Sequence, residues 1–463
     1  MLKKLFFIIF GFYASLGQAQ SVRTHFNTRF RELLHDPDMI HASVGLLVIN
    51  NNTGNTFYSF NPDLGLAPAS CQKTIVATTA YDLLGSHFTY KTQVGYTGYI
   101  ENGTLKGDLI IQGSGDPTLG SWRYEDTRED TVLNEFEGAI HAQGIHTLTG
   151  NIYAPEQWPG ERLPGGWIWE DIGNYYGAGA GQLNWRENQY DLILKSGTRI
   201  GDSVVLESTI PSELVGLDMK VLATSAAAGT GDQTVIYVPL FGKNSHLRGT
   251  IPVDEDHFAV SGSMPHPGMQ MAITLQSMIT RQPMQEIASK YPETWSHSKI
   301  HDFYSHTSPD LDSITYWFLK RSINLFGEAL TKTLGGAFTG SASTDSGVAV
   351  IQRHWNRLGI SPYAMNIQDG CGLSPANRVT ASTLVKVMQY ARKRPWFSSF
   401  YYALPEIHGI KMKSGSIGGV VSYTGYIPSK DGTLYTFAFI INNFYGNSDA
   451  IRKKMWNLLD ILK

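Results

Sequence analysis

The chain has 463 residues, of which 42% are hydrophobic and 12% aromatic, and a formal net charge of -3. That is enough apolar material for two or three folded domains, and a near-neutral chain without a basic run argues against nucleic acid as a partner. Two cysteines, Cys71 and Cys371, are too few for a disulfide scaffold but suffice for one bridge in an oxidising compartment.

Residues 1–19 read as an export signal. Lys3-Lys4 precedes the apolar run from Leu5 to Tyr13, and Gly17 and Ala19 stand at the spacing a signal peptidase accepts. The run is too short to span a bilayer, so the expectation is a soluble mature chain from Gln20, exported to the periplasm. Next come a helix from Thr24 to Leu34, a hairpin of strands Ala42 to Ile49 and Thr56 to Phe60, and a helix beginning at Ser70. From Thr92 to Arg281 short strands alternate with glycine and proline: Asp108 to Gln112, Thr149 to Ala154, Tyr190 to Leu194, Thr234 to Leu240 and Leu247 to Pro252.

Helical spacing returns at Met269 to Ile279, Asp312 to Leu319, Asn324 to Leu334, Gly347 to Leu358 and Ala381 to Ala391. The chain closes with strands Gly409 to Met412, Val420 to Pro428 and Tyr435 to Asn442, then a helix from Asp449 to Leu462. Strands at both ends with helices between them predict an α/β (α+β) fold. One antiparallel sheet is flanked by helices and built from 20–91 and 282–463, with 92–281 as a β-rich insert of one or two subdomains. The last helix, with Arg452, Lys453, Lys454 and Lys463 beside its apolar residues, suits packing on the last strands, with peripheral membrane contact as the second reading. No metal site is readable, because His141 and His146, or His301 and His306, lack accompanying ligands.

Three short boxes carry chemistry. Ser70 and Lys73 lie three residues apart, so a helical turn sets a hydroxyl beside an amine that, when neutral, takes its proton. Ser322 and Asn324 lie two apart just before a helical run, and can point one way only from a turn. Lys413-Ser414-Gly415 opens one of the last strands, and Gly415 leaves room for a ligand backbone.

In this order the boxes resemble those of the penicillin-recognising serine acyltransferases. Longer stretches are similar to the D-alanyl-D-alanine carboxypeptidase/endopeptidase family, the class C low-molecular-mass penicillin-binding proteins: Ala67-Pro68-Ala69-Ser70, Gly115-Asp116-Pro117-Thr118-Leu119, Asp369-Gly370 with Gly372-Leu373-Ser374, Asn377-Arg378-Val379-Thr380 and Lys413-Ser414-Gly415-Ser416. The resemblance implies a penicillin-binding/β-lactamase-like transpeptidase domain, no cofactor, and peptidoglycan stem peptides, cross-links and β-lactam antibiotics as partners. It implies Ser70 as nucleophile, Lys73 as its base, Lys413 as the charged group that lowers the base's pKa and attracts the peptide carboxylate, Ser322 as proton relay and Asn324 as orienting group. Ser414, Gly415, Ser416 and Arg378 would contact substrate, with the Ser70 and Ser416 N–H groups as oxyanion hole. Asp171 and Tyr176 match the segment that meets the far amine of the peptide's third residue.

Both cysteines depart from the family pattern, which suggests a Cys71–Cys371 disulfide, and Gly418 replaces a longer polar side chain of some members. The competing readings are a β-lactamase or esterase on the same scaffold, and a catalytically silent cell-wall binding protein.

Overall fold

The computed structural model describes residues 22–156, 162–239, 244–281 and 300–463. The export signal expected over 1–19 lies outside them, as does 282–299 at the insert's end. Packing divides the chain into two units, one of residues up to Thr79 with Thr315–Ser322 and Ile351–Lys463, the other of Ala80–Ile314 and Ile323–Val350.

The first unit is built on a six-stranded sheet ordered Thr56–Phe60, Ser43–Asn50, Leu434–Asn442, Val420–Pro428, Ile410–Ile417 and Glu406–Ile407, antiparallel throughout. The strand Leu434–Asn442 is buried at all seven interior positions, because it is central and covered on both faces. Its odd-numbered residues Phe437, Phe439 and Ile441 join Val44, Leu46 and Val48 in one core with Phe26 and Phe30 of the helix over 22–34. Ile451, Met455, Leu458 and Leu459 of the helix Ser448–Leu459 complete that core. Each such side chain contributes roughly 1.5–3 kcal/mol on burial. The helix therefore turns its apolar side to the sheet, and Lys454 on its flank pairs with Asp36 at 2.7 Å and Asp38 at 2.8 Å. The helix Ala381–Ala391 covers the opposite face, where Tyr426 donates to the Met388 carbonyl at 2.7 Å.

The second unit contains a four-stranded sheet of His301–Thr307, Lys91–Tyr96, Leu109–Gln112 and Ile152–Tyr153. Its core takes Val132, Leu133, Phe136 and Ile140 from the helix Glu129–Ala142, and Met271 and Leu275 from Pro267–Thr280. The first of these helices corrects the strand-only reading of this region: its apolar residues stand at helical spacing behind Glu129 and Asp130 in the first turn. A further core gathers on Gln189–Lys195, Val205–Ile210 and Asp256–Ser263. The composition break at Thr92–Arg281 falls inside this unit.

Candidate active site

The nucleophile box does not begin an α-helix. Ala69–Gln72 form a 3-10 turn, and the α-helix runs from Lys73 to Leu84. Ala69 sits at φ 45°, a left-handed conformation that costs a non-glycine residue about 1 kcal/mol and needs its surroundings to hold it. Those surroundings are the sheet. Ser422 Oγ donates to the Pro68 carbonyl at 2.5 Å, and Asn442 bonds both the N–H and the carbonyl of Ala67 at 3.0 and 3.1 Å. The Cys71 thiol donates to the Lys413 carbonyl at 3.2 Å.

Lys73 is fully buried, and its Nζ donates to Ser70 Oγ at 2.8 Å and to the Cys371 carbonyl at 2.7 Å. That carbonyl belongs to a turn organised by the buried Asp369. Its carboxylate accepts from Gly372 N at 2.8 Å, Ser374 N at 2.6 Å and Asn377 Nδ2 at 3.0 Å, while Gln72 Nε2 reaches the Asp369 carbonyl at 2.6 Å. The signal available in the sequence was Asp369 next to Gly370 and three residues before Gly372, an acid placed to bond the backbone of its own turn.

Lys413 does not open its strand but stands in the middle of Ile410–Ile417. It is 1% exposed, and its Nζ donates to the Ser414 carbonyl at 2.7 Å. Burial, and then the charge of Lys73, push the Lys413 ammonium down to about 7. A buried amine beside another amine holds its proton less tightly than a free lysine. Two residues on, Gly415 brings the strand so close to Ser70 that a Cβ there would lie 2.6 Å from the Pro68 carbonyl and 2.9 Å from Ser70 N. The Ser416 hydroxyl accepts from Arg452 Nη2 at 2.9 Å, on the C-terminal helix.

Ser322 also occupies a left-handed conformation, φ 58°, between the helices Leu311–Lys320 and Asn324–Thr339. Within the second unit Asn324 Nδ2 donates to the Tyr176 carbonyl at 2.8 Å. Burial, helped by Glu170, raises the Asp171 carboxyl to about 6, and burial followed by the Asp171 charge raises the Tyr176 phenol to about 12. Arg378 is turned to its own loop and donates to the Pro375 and Asn377 carbonyls at 2.6 and 2.7 Å.

The disulfide expectation is corrected. Cys71 and Cys371 are not bridged to each other and are fully buried, and burial pushes the Cys71 thiol up to about 11. The Cys71 sulfur is engaged with the strand carbonyl at Lys413.

Compared with known proteins, the chain matches the D-Ala-D-Ala carboxypeptidase 3 (S13) family over residues 26–461. It is 26% identical to a D-alanyl-D-alanine carboxypeptidase of Actinomadura sp. (strain R39), over 95% of this chain and 85% of the relative. It is 22% identical to the D-alanyl-D-alanine carboxypeptidase DacB of Haemophilus influenzae, over 87% of this chain and 86% of that one. The fold is that of penicillin binding protein 4 (dacB) from Haemophilus influenzae, with a TM-score of 0.73 at 19% identity over 90% of this chain and 96% of that one.

Proposed function

The chain belongs to the D-Ala-D-Ala carboxypeptidase 3 (S13) family and is a serine-type D-Ala-D-Ala carboxypeptidase, and from that premise we propose how its residues divide the work. The observation that carries the proposal is Lys73 Nζ at 2.8 Å from Ser70 Oγ, inside a site where a second amine sits buried. Ser70 Oγ attacks the carbonyl carbon of a D-Ala-D-Ala bond, or of a β-lactam amide, while its proton passes to a neutral Lys73. A tetrahedral oxyanion forms. The Ser70 and Ser416 N–H groups receive it, each such donor being worth roughly 10²–10³ in rate. Ser322 hands the proton to the departing amine, the C–N bond breaks, and an ester of Ser70 remains for water to hydrolyse. Asn324, two residues along the chain from Ser322, orients the amine and the substrate amide.

Lys413, Ser414 and Gly415 take the terminal carboxylate of the peptide. A carboxylate beside Lys413 raises the ammonium's pKa again, so substrate binding itself charges Lys413 and lowers the tendency of Lys73 to hold a proton. The Asp171 carboxyl beside Tyr176 receives the ammonium of a diamino third residue, which supports action on peptidoglycan stem peptides and, as an endopeptidase, on their cross-links. By the resemblance of Asn377-Arg378-Val379-Thr380 to the family stretch, Arg378 is a further substrate contact. The composition of 92–281 supports reading it as an insert that shapes peptide specificity.

The charged and small-residue pattern of 1–19 supports export to the periplasm, and no helix among the described residues is long and apolar enough to cross a membrane. With the apolar residues of the C-terminal helix buried, membrane contact there rests on its basic residues alone. One of the solved penicillin binding protein 4 (dacB) structures is a complex with a novel β-lactam. Incubation with a fluorescent penicillin followed by mass mapping tests the proposal: the label lands on Ser70 and is absent in Ser70→Ala, whereas a label on any other residue overturns it.

A further inference from the structure

The strand Ile410–Ile417 turns its two faces to different neighbours. Gly415 faces Ser70, since a Cβ there would stand 2.9 Å from Ser70 N, and Lys413 shares that face because side chains alternate along a strand. Ile410 and Met412 point the other way, into the core they share with Ile451 and Met455 of the helix Ser448–Leu459. Ser414 and Ser416 continue that row, and their cross-strand partners Tyr423 and Val421 belong to the same core. The C-terminal helix therefore stands behind the two serines.

Ser416 is exposed, and one side chain of the helix reaches it. Arg452 Nη2 donates to Ser416 Oγ at 2.9 Å, while its Nη1 donates to the Asp449 carboxylate one turn back. Asn447 caps the same turn by accepting from Asp449 N at 2.6 Å, so the guanidinium is held from its own helix and delivered to the strand. Asp449 is 71% exposed and Arg452 only 29%, which leaves the acid largely to water and the cation to the strand.

A hydroxyl that accepts from a guanidinium still has its own proton to give. No group among the described residues takes the Ser416 proton, and a bond from a cation strengthens the O–H as a donor. We propose that Arg452 is a positioning residue for substrate selection: through Ser416 it aims an O–H and a positive field at the terminal carboxylate of the peptide. This role rests on the division of work proposed above, in which Lys413, Ser414 and Gly415 take that carboxylate. A leaving group whose carboxyl is amidated gains nothing from Arg452.

The test uses the full chain and two thiolesters of one acyl-D-alanine, with thioglycolate and its carboxamide as leaving groups. The activated acyl group keeps both hydrolyses measurable, and kcat and KM are read from the released thiol. Arg452→Gln is expected to lower kcat/KM at least tenfold on the carboxylate substrate and less than threefold on the carboxamide, which also reports the folded fraction of each variant. Arg452→Lys is expected to recover part of the loss. In a Ser416→Ala background the same Arg452→Gln change is expected to cost less than threefold, because the hydroxyl it acts through is gone. Equal losses on the two substrates, no loss on either, or the full tenfold loss in the Ser416→Ala background overturns the inference. Fluorescent penicillin separates the two readings: Ser70 labelled with the preference unmoved by Arg452→Gln sinks the role of Arg452 alone, and an unlabelled Ser70 sinks the functional assignment.

Discussion

Gly372 lies so close to Ala69 that a Cβ added to it would stand 2.0 Å from the Ala69 carbonyl oxygen. Gly372 is also at φ 86°, so the turn that presents the Cys371 carbonyl to Lys73 is pressed directly against the residue preceding Ser70. Gly372→Ala must displace one or the other. It should destabilise the protein by roughly 2–4 kcal/mol and slow penicillin acylation at least a hundredfold. A variant with unchanged melting temperature and acylation rate would show that this contact positions nothing.

The two buried amines predict a pH dependence. With Lys413 pushed down to about 7 by burial and by Lys73, the pair loses its first proton near neutrality. Acylation should therefore rise as pH increases through about 7 and fall at higher pH when the second proton leaves. A flat profile from pH 6 to 10 contradicts this.

Stability follows the same shift with a definite sign. Lys413 has a folded-state pKa below its unfolded value of 10.5, so between about 7 and 10.5 the unfolded chain holds a proton the folded one lacks. Its penalty is complete below 7 and is relieved as pH rises through that window, an effect of roughly 4–5 kcal/mol at most. Lys413→Met should be the more stable protein at pH 6, and its advantage in melting temperature should shrink by pH 10. A gap independent of pH would refute the buried-cation account.

Both thiols are unbridged and buried, so a thiol reagent should find two equivalents in the denatured, unreduced chain and none in the native one. Loss of both in unreduced protein would restore the disulfide.

Asp171 titrates near 6 because burial, then Glu170, disfavours its charge. An incoming ammonium pairs with the carboxylate and not with the acid, so preference for a free-amine peptide over its N-acetylated form should hold above pH 6 and fade as pH drops through it. Asp171→Asn should abolish the preference at every pH, with at least a tenfold lower kcat/KM on the amine peptide and little change in penicillin acylation. Equal losses on both substrates would remove Asp171 from specificity.

The sequence by itself determined the three boxes, because Ser70 and Lys73 lie three residues apart and chain connectivity alone makes them neighbours. It determined the sheet strands Thr56–Phe60 and Val420–Pro428 and the helix Ala381–Ala391 to the residue, since each carries a local apolar period that its surroundings do not override. It did not determine the turn at Ser70. The left-handed Ala69 is unfavourable locally and exists because Ser422 and Asn442, 354 and 375 residues away along the chain, bond the backbone at Pro68 and Ala67 just before it. The fate of the cysteines was likewise decided by packing: nothing in their spacing says that the Cys71 sulfur meets a strand carbonyl. Lys413 shows the same division, for its place in the box was legible, but its discharge near neutrality comes from burial beside a second amine, and burial is a property only the folded chain has.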